Sequence, residues 1–250
     1  MFFSKNLQDI DHCFFSKLGG NSKGIYKGLN CGNGSKDKSY FIEKNHDLVS
    51  KYYCLSKKKL VTLNQTHSSR VLTLNSVNKK KRYEYDGVVT NKKNIILGIL
   101  TADCAPILFY DPIEKVIGAC HAGWKGSFDN IIENTISSMI NLGSKAKYIK
   151  CAIGPCIRQD SYTVGVEFYV RFVNKNLLNK KYFIQEKSTK YKFSLCEFIA
   201  DKVQNLGICD ISSINLDTYA NEELCFSYRR SVHKKENDYG RMISTIVIKE

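Results

Sequence analysis

Two histidines and one cysteine, His67, Cys104 and His121, have the side chains that proteins commonly use to bind catalytic zinc. Each residue belongs to a short segment beside an apolar run that is typical of a β-strand. The three segments are N-Q-T-H at positions 64–67, T-A-D-C at 101–104 and H-A-G-W-K-G at 121–126. Because strand ends gather side chains from distant parts of an α/β chain, we expect the two imidazoles and the thiolate to meet.

The spacing of these residues favours a catalytic metal site over a zinc finger. Cys104 follows His67 by 37 residues and precedes His121 by 17, which suits ligands on separate strands. Catalytic zinc keeps three protein ligands and an open position, and it lowers the pKa of a bound water toward about 7. Copper is the alternative metal. An electron-transfer copper site also needs an axial methionine, but Met139 falls on a predicted helix and Met242 is remote in sequence.

A cysteine nucleophile is a second interpretation of the same residues. Cys104 could attack a substrate with His121 as its base, as in thiol hydrolases, and the sequence leaves open which third group orients the imidazole. Asp103 adjoins the cysteine and is the candidate for acid–base catalysis. On a regular strand its side chain would point to the opposite face, a rule that relaxes at a strand end.

Glycines and basic residues mark candidate substrate-binding segments. The glycines of H-A-G-W-K-G precede a predicted helix, where backbone N–H groups suit an anion, and Lys125 adds a cation there. Lys17 begins a second glycine-bearing segment, which extends to Asn30 and is typical of a mobile loop. F-S-Y-R-R and G-R-M, near the C-terminus, offer further cations whose alternative role is in salt bridges.

The composition of the 250-residue chain argues against several classes of protein. No run approaches the 18 apolar residues of a membrane-spanning helix, and the N-terminus lacks the pattern of a signal peptide, so we expect a cytoplasmic protein. Ten cysteines without a C-x-x-C pair predict mostly small, buried thiols in a reducing compartment.

The formal net charge of +14 raises the question of nucleic acid. Only seven of the 38 basic residues are arginines, and the lysines are scattered, with local runs at 57–59 and 79–81. This pattern is more typical of a solvated lysine surface, which can attract anionic substrates, than of a specific nucleic-acid interface.

The elements that must position these segments mix strands with helices. Strands are predicted at 60–63, 71–74, 87–90, 95–101, 107–110, 116–120, 148–153 and 243–248. Helices are predicted at 128–142, 166–173 and 194–206, the last one opening on the S-L-C-E pattern of a capping box. Since no repeat or proline-rich linker divides the chain, we expect one α/β domain over 1–250. Its predicted architecture is a layered sandwich of mixed sheets covered by helices.

Taken together, the motifs resemble a family long labelled multicopper polyphenol oxidases or laccase-domain proteins and also described as purine nucleoside phosphorylases. They occur in the family's order along almost the whole chain. The motifs are H-C-F-F-S-K-L-G-G-N-S-K-G-I-Y-K-G-L-N from position 12, N-Q-T-H-S-S-R-V, D-G-V-V-T-N, T-A-D-C-A-P-I-L, G-A-C-H-A-G-W-K-G, A-I-G-P-C-I, F-S-Y-R-R and G-R-M.

This resemblance implies a fold, a metal and two reactions. The fold would be a layered α/β sandwich related to the catalytic domain of a bacterial cytotoxic necrotising factor, with His67, Cys104 and His121 as zinc ligands. The reactions would be phosphorolysis of adenosine, inosine, guanosine or methylthioadenosine to the base and ribose 1-phosphate, and deamination of adenosine to inosine. Copper-dependent oxidation of phenols is the earlier activity attributed to the family.

Two departures from the family pattern fall on expected substrate-binding residues. Lys17 and Lys125 stand where the family usually has arginine, which keeps the charge but loses the bidentate fork that clamps phosphate. The expected partners are nevertheless purine nucleosides and phosphate, bound by a monomer or a small homo-oligomer. The non-enzyme alternative is a basic nucleotide- or RNA-binding protein.

Overall fold

Two stacked β-sheets form the centre of the computed structural model, which describes residues 1–77 and 83–249. The strands are β1 (Asp11–Phe14), β2 (Leu60–Thr62), β3 (Val71–Thr73), β4 (Gly87–Thr90), β5 (Ile96–Thr101), β6 (Ala105–Asp111), β7 (Val116–Ala122), β8 (Lys150–Ile153), β9 (Thr163–Gly165), β10 (Phe183–Lys187), β11 (Lys190–Phe193), β12 (Asp210–Ser213) and β13 (Met242–Val247). The α-helices are α1 (Ser39–Tyr52), α2 (Trp124–Phe128), α3 (Ile131–Ile140), α4 (Val166–Lys175), α5 (Leu195–Asn205) and α6 (Tyr228–His233). The lysine run at 79–81 lies outside the described residues.

Both large sheets contain parallel and antiparallel strand pairs. The six-stranded sheet has the order β12-β8-β6-β7-β4-β3, and the four-stranded sheet has the order β1-β13-β5-β2. In the first, β6 and β7 are antiparallel whereas β3 and β4 are parallel. In the second, β5 is antiparallel to β13 and parallel to β2. A third sheet of order β10-β11-β9 lies outside this pair.

Alternating apolar side chains explain why the two large sheets stack. Leu97 and Ile99 of β5 share one buried cluster with Ile117 and Ala119 of β7, so this cluster fills the space between the sheets. The intervening side chains of β5 point the other way, into a cluster that includes Val49 of α1. Helix α1 therefore covers the outer face of the four-stranded sheet.

The outer face of the six-stranded sheet is covered by α3 and α5. Ile107 and Phe109 of β6 belong to one buried cluster with Ile136 of α3 and Ile199 of α5. The chain thus forms four layers, in the order helix, sheet, sheet, helices. The prediction of an α/β sandwich with mixed sheets is confirmed, and all eight predicted strands are present with ends that differ by at most two residues.

Two predicted helix details are wrong. The helix predicted at 128–142 is α3, which begins later, at Ile131, because Asn130 adopts a left-handed conformation (φ 74°) that separates α3 from the short helix α2. The capping box predicted at 194–197 does not form, since the Ser194 side chain makes no capping hydrogen bond, although α5 begins at Leu195 as expected. Helices α1 and α6 and five strands, β1 and β9–β12, lie outside the predicted elements, and α2 overlaps a predicted helix only at Phe128.

Seven of the ten cysteines are buried, as predicted, and every cysteine thiol is free. Across residues 1–77 and 83–249, no helix combines the length and apolar character needed to cross a membrane.

Candidate metal centre

The structure brings together the three residues that the sequence singles out. The ligand atoms of His67, Cys104 and His121 all lie within 4.8 Å of one another. His121 is buried, Cys104 is half-buried and His67 is exposed, so one side of the group faces solvent. The two imidazole rings lie 4.7 Å apart, centre to centre, at an angle of 73°.

Ends of strands from both large sheets supply these side chains. Cys104 immediately precedes β6, and His121 is the next-to-last residue of β7, where it lies opposite Pro106 in the antiparallel register. His67 follows β2 of the other sheet. Its segment is held by Gln65, whose side-chain amide donates to the carbonyl of Leu100 and accepts from the N–H of Leu100. The site therefore lies where the ends of the stacked sheets meet.

Asp86, which the sequence analysis did not single out as a site residue, fixes the orientation of His121. The buried carboxylate accepts a hydrogen bond of 2.8 Å from His121 Nδ1, and this leaves Nε2 as the ring nitrogen that can bind a metal. Carboxylates commonly hold metal-binding histidines in this way. Asp86 directly precedes β4, so it reaches the same sheet end as His121, and the D-G of D-G-V-V-T-N is the signal that could have revealed it.

The same carboxylate also holds the segment that carries His67. Asp86 accepts hydrogen bonds from the backbone N–H groups of Thr66, His67 and Ser68 and from the Ser68 hydroxyl. Burial alone would raise the pKa of Asp86, but the hydrogen bonds from His121 and Ser68 outweigh it and lower the pKa to about 2. Asp86 is thus a negatively charged link between two of the three candidate ligands.

Cys104 and His121 form a charged pair in the protein without metal. Burial would raise the pKa of Cys104, but the positive charge and hydrogen bond of His121 lower it to about 7. Burial would lower the pKa of His121, but the Cys104 thiolate and the Asp86 carboxylate raise it to about 9. Near neutral pH the sulfur is therefore partly ionised, which is the form that binds metals and attacks electrophiles.

Two backbone features make room for the group. Gly123 follows β7, and a Cβ at this position would lie 2.8 Å from Cys104 Sγ and 3.4 Å from a carbon of the His67 ring. Glycine is therefore required if the thiolate and the imidazole are to keep these positions. His67 itself adopts a left-handed conformation (φ 57°), which costs roughly 1 kcal/mol in a non-glycine residue and is offset by its N–H bond to Asp86.

This donor set fits a zinc ion. Two imidazoles and one thiolate are ligands of catalytic zinc, and the solvent-facing side leaves room for a fourth ligand. An electron-transfer copper site would also need an axial methionine. Met139 packs against Gly118 in the core, and Met242 packs with Cys225 and Phe226, so neither sulfur lines the site.

Asp103, the predicted acid–base residue, lies beside the metal centre with its side chain engaged elsewhere. It is buried, and its carboxylate accepts hydrogen bonds from the hydroxyls of Thr218 and Ser227 and from the N–H of Arg229. Burial raises the pKa of Asp103, and this effect is larger than that of the three hydrogen bonds, which lower the pKa. The Asp103 side chain does not line the cavity that contains the three candidate ligands. Its hydrogen bonds to Ser227 and Arg229 instead connect the T-A-D-C turn to the start of α6. Its catalytic role stays a prediction.

The three candidate ligands line a cavity of about 1020 Å³. Tyr228 and Arg241, from the C-terminal motifs, also line it, as does Tyr239, which directly precedes G-R-M. The two tyrosine rings are 5.1 Å apart, and the Arg241 guanidinium lies 4.2 Å from the centre of the Tyr239 ring. The backbone N–H of Arg241 donates to the Asn30 side chain, which ties G-R-M to the end of the N-terminal motif. The cavity thus combines metal ligands, aromatic faces and a cation.

The two lysines predicted to bind substrate lie elsewhere. Lys17 lines a second cavity of about 610 Å³, together with the glycine-bearing segment and Glu223. Lys125 is exposed in α2 and does not line the metal cavity. Arg230, from F-S-Y-R-R, donates to the backbone carbonyls of Thr218 and Tyr219, so its role is structural. The substrate-binding roles of Lys17 and Lys125 stay predictions.

The fold and the site define a mixed α/β protein with a candidate metal centre at the meeting ends of two sheets. Residues 11–249 match the family model described as multi-copper polyphenol oxidoreductase laccase. The chain belongs to this family. The match spans nearly all of the expected single domain.

Relatives and solved structures agree with this assignment. The chain is 38% identical over 223 residues to a purine nucleoside phosphorylase of Rickettsia conorii, covering 84% of this chain and 90% of the relative. It is 31% identical over 262 residues to the purine nucleoside phosphorylase YlmD of Bacillus subtilis, covering 99% and 91%. Its fold is similar to that of Bacillus licheniformis hypothetical protein YfiH, with a TM-score of 0.90, 29% identity and coverage of 97% and 94%.

Proposed function

We propose that this protein is a zinc-dependent purine nucleoside phosphorylase that acts on adenosine, inosine, guanosine or methylthioadenosine. The observation that carries the proposal is the convergence of His67, Cys104 and His121 on one wall of a cavity large enough for a nucleoside. The names of the relatives supply the substrate class. Deamination of adenosine to inosine is proposed as a second reaction of the same site.

The bound zinc would act as a Lewis acid and lower the pKa of water at its open position. The protein's part is to keep the ligand atoms in place. Asp86 holds His121 by its Nδ1–H and holds the backbone of His67, so both imidazoles keep their orientation when substrate enters.

Arg241 is the residue that we propose for binding phosphate. Phosphorolysis requires a phosphate beneath C1′ of the ribose, and a guanidinium can donate two parallel hydrogen bonds to phosphate oxygens. Arg241 lines the metal cavity, whereas Lys17 and Lys125 do not. Stacking on Tyr239 holds its guanidinium plane in a fixed orientation. The faces of Tyr228 and Tyr239 are the candidate surfaces for the purine ring.

Inosine with and without phosphate provides the direct test. We expect the zinc-loaded protein to release hypoxanthine only when phosphate is present, and Arg241→Met to raise the KM for phosphate by roughly tenfold or more. Arg171→Met is the matched control, since this exposed arginine also lies over an aromatic ring, that of Trp124, but outside the cavity, and its kinetics should equal those of the wild type. Hypoxanthine release at the same rate without phosphate would contradict the phosphorylase proposal.

Adenosine separates the two proposed reactions. Adenine formed with phosphate reports phosphorolysis, whereas inosine formed without phosphate reports deamination. Both products should disappear when zinc is removed and return when it is restored. Activity recovered with copper alone, on a phenol rather than a nucleoside, would support the oxidase alternative.

A thiol hydrolase is the second candidate function, and Asp86 is the observation that favours it. Cys104, His121 and Asp86 form a hydrogen-bonded series like that of a cysteine nucleophile, its base and the group that orients the base. The exposed His67 has no place in such a triad, but it does in a metal site. Iodoacetamide should therefore modify Cys104 only after zinc is removed; rapid modification with zinc still bound would favour the nucleophile.

A further inference from the structure

Among the residues that the structure describes, three side-chain amides line the metal cavity, and two of them are held by partners. The Gln65 amide donates to the carbonyl of Leu100 and accepts from the N–H of the same residue. The Asn33 amide donates to the Thr62 hydroxyl over 3.3 Å. These hydrogen bonds fix which way each of the two amides faces, so both belong to the framework of the cavity.

Asn64 carries the third amide, and its side chain is not held in this way. Its backbone N–H donates to the carbonyl of Tyr83 at 2.8 Å, and its neighbour Leu63 is buried, so the main chain has a fixed position. The Asn64 side chain itself is exposed and forms no hydrogen bond within residues 1–77 and 83–249. Rotation about the last side-chain bond can therefore exchange the positions of its oxygen and nitrogen.

Purine bases present two different hydrogen-bonding edges to such an amide. Adenine has an acceptor at N1 beside the N6–H₂ donor, whereas hypoxanthine and guanine have an N1–H donor beside the O6 acceptor. An amide has one acceptor and one donor side by side, and it pairs with two neighbouring atoms of a base in this way. If the amide can turn over, it forms two hydrogen bonds with either kind of edge.

We propose that Asn64 recognises the purine base, and that rotation of its amide lets one cavity bind both 6-amino and 6-oxo purines. The inference rests on the proposed phosphorylase function, whose substrates include bases of both kinds. Tyr228 and Tyr239 would contact the faces of the ring and Asn64 its edge, and all three residues line the cavity that contains the candidate metal ligands.

The charged group of the cavity is a poor alternative for this task. The Arg241 guanidinium only donates, so it cannot pair with the N6–H₂ group of adenine. Asp86, which only accepts, is buried behind His121 and does not line the cavity. An amide supplies both a donor and an acceptor without placing a charge beside the base.

Asn64→Asp tests the proposal, because a carboxylate only accepts. It can bind the N1–H and N2–H₂ donors of guanine together, but it cannot donate to N1 of adenine. The ratio of kcat/KM for guanosine to that for adenosine should therefore rise at least roughly tenfold over the wild-type ratio. Methylthioadenosine carries the same base as adenosine, so its kcat/KM should fall by the same factor.

Two further variants make the result specific. Asn91→Asp is the matched control, since Asn91 is an exposed asparagine that directly follows β4 and does not line the cavity. It adds the same charge away from the ligand, and its guanosine-to-adenosine ratio should equal that of the wild type. Asn64→Leu removes both hydrogen-bonding atoms at similar size, and kcat/KM should fall at least roughly tenfold for all four nucleosides.

The outcomes distinguish a failure of this inference from a failure of the proposed function. If the wild type releases no base from any of the four nucleosides, the phosphorylase proposal fails and the role of Asn64 fails with it. If the wild type releases base but Asn64→Asp keeps the wild-type guanosine-to-adenosine ratio, only the role of Asn64 is overturned. An equal loss for all four nucleosides in Asn64→Asp would overturn it too, because that loss reports damage to metal or phosphate binding rather than to recognition of the base.

Discussion

Replacing Asp86 with asparagine should weaken metal binding far more than its size suggests. The side chain keeps its shape but loses its charge. Its new amide N–H₂ group would face N–H donors, with which it cannot form a hydrogen bond. Asp86 accepts from His121 Nδ1 and from the backbone of Thr66, His67 and Ser68, so two of the three candidate ligands lose their common support. Removal of a carboxylate that orients a metal-binding histidine costs about 10–100-fold in metal affinity, or about 1.4–2.7 kcal/mol.

The metal-free protein should also become less stable. The pKa of Asp86 falls from its ordinary value of 3.8 to about 2, and each tenfold change in proton affinity corresponds to about 1.4 kcal/mol, so the ionised carboxylate contributes about 2 kcal/mol to folding. Because the pKa is lowered in the folded state, this contribution is complete above pH 4 and is lost as the pH falls toward 2. The stability difference between wild type and Asp86→Asn should therefore shrink over that interval.

Two measurements check these magnitudes. Competition with a chelator that reports free zinc gives the metal affinity at pH 7, and urea unfolding of the metal-free proteins gives the stability. Asp111→Asn is the matched control, since Asp111 is a fully buried aspartate at the end of β6, where it accepts from the N–H groups of Ile113 and Glu114. Its metal affinity should equal that of the wild type. An Asp86→Asn variant that binds zinc within twofold of the wild type would refute the reasoning.

Three further predictions follow from the geometry of the site. Gly123→Ala should lower zinc affinity by at least roughly tenfold, because its Cβ would lie 2.8 Å from Cys104 Sγ. Gly34→Ala is the control, since open space surrounds Gly34, and equal zinc affinities of the two variants in chelator competition would contradict the prediction. Asp103→Asn should lower the free energy of unfolding by about 1–3 kcal/mol, as measured by urea unfolding, because its buried carboxylate accepts three hydrogen bonds. A large loss of kcat at unchanged stability would instead support the predicted acid–base role. Zinc affinity should rise at least about tenfold per pH unit between pH 7 and 8, because binding then displaces the proton of His121 together with the protons that part of the Cys104 thiols still carry. A pH-independent affinity in isothermal titration would contradict the charged pair.

The candidate ligands are the part of the site that the sequence predicts well. His67, Cys104 and His121 each stand beside a strongly apolar run, and the strands β2, β6 and β7 form where those runs predict them. Local patterning suffices here because buried strands are apolar along their whole length and the polar residue at the end interrupts them. The resemblance to the family then joins the three segments into one site.

Residues that act through contacts between distant segments were not predictable in the same way. Asp86 and Arg241 each stand in a quoted motif, D-G-V-V-T-N and G-R-M, but neither motif by itself says which distant group the charge contacts. Asp86 becomes a site residue because β4 pairs with β7 and brings it against His121. Arg241 becomes one because its guanidinium stacks on Tyr239 at the edge of the metal cavity.

By itself the sequence determined the α/β class, eight of the strands and the identity of the three candidate metal ligands, since hydrophobic periodicity and donor chemistry are local properties. Only the tertiary structure decided which charges accompany them. Strand pairing placed Asp86 behind His121, directed the carboxylate of Asp103 away from the cavity, and left Lys17 and Lys125 outside it. The physical reason is that a hydrogen bond or an ion pair depends on a few ångströms between groups that lie far apart in the chain, and only the packing of the sheets sets those distances.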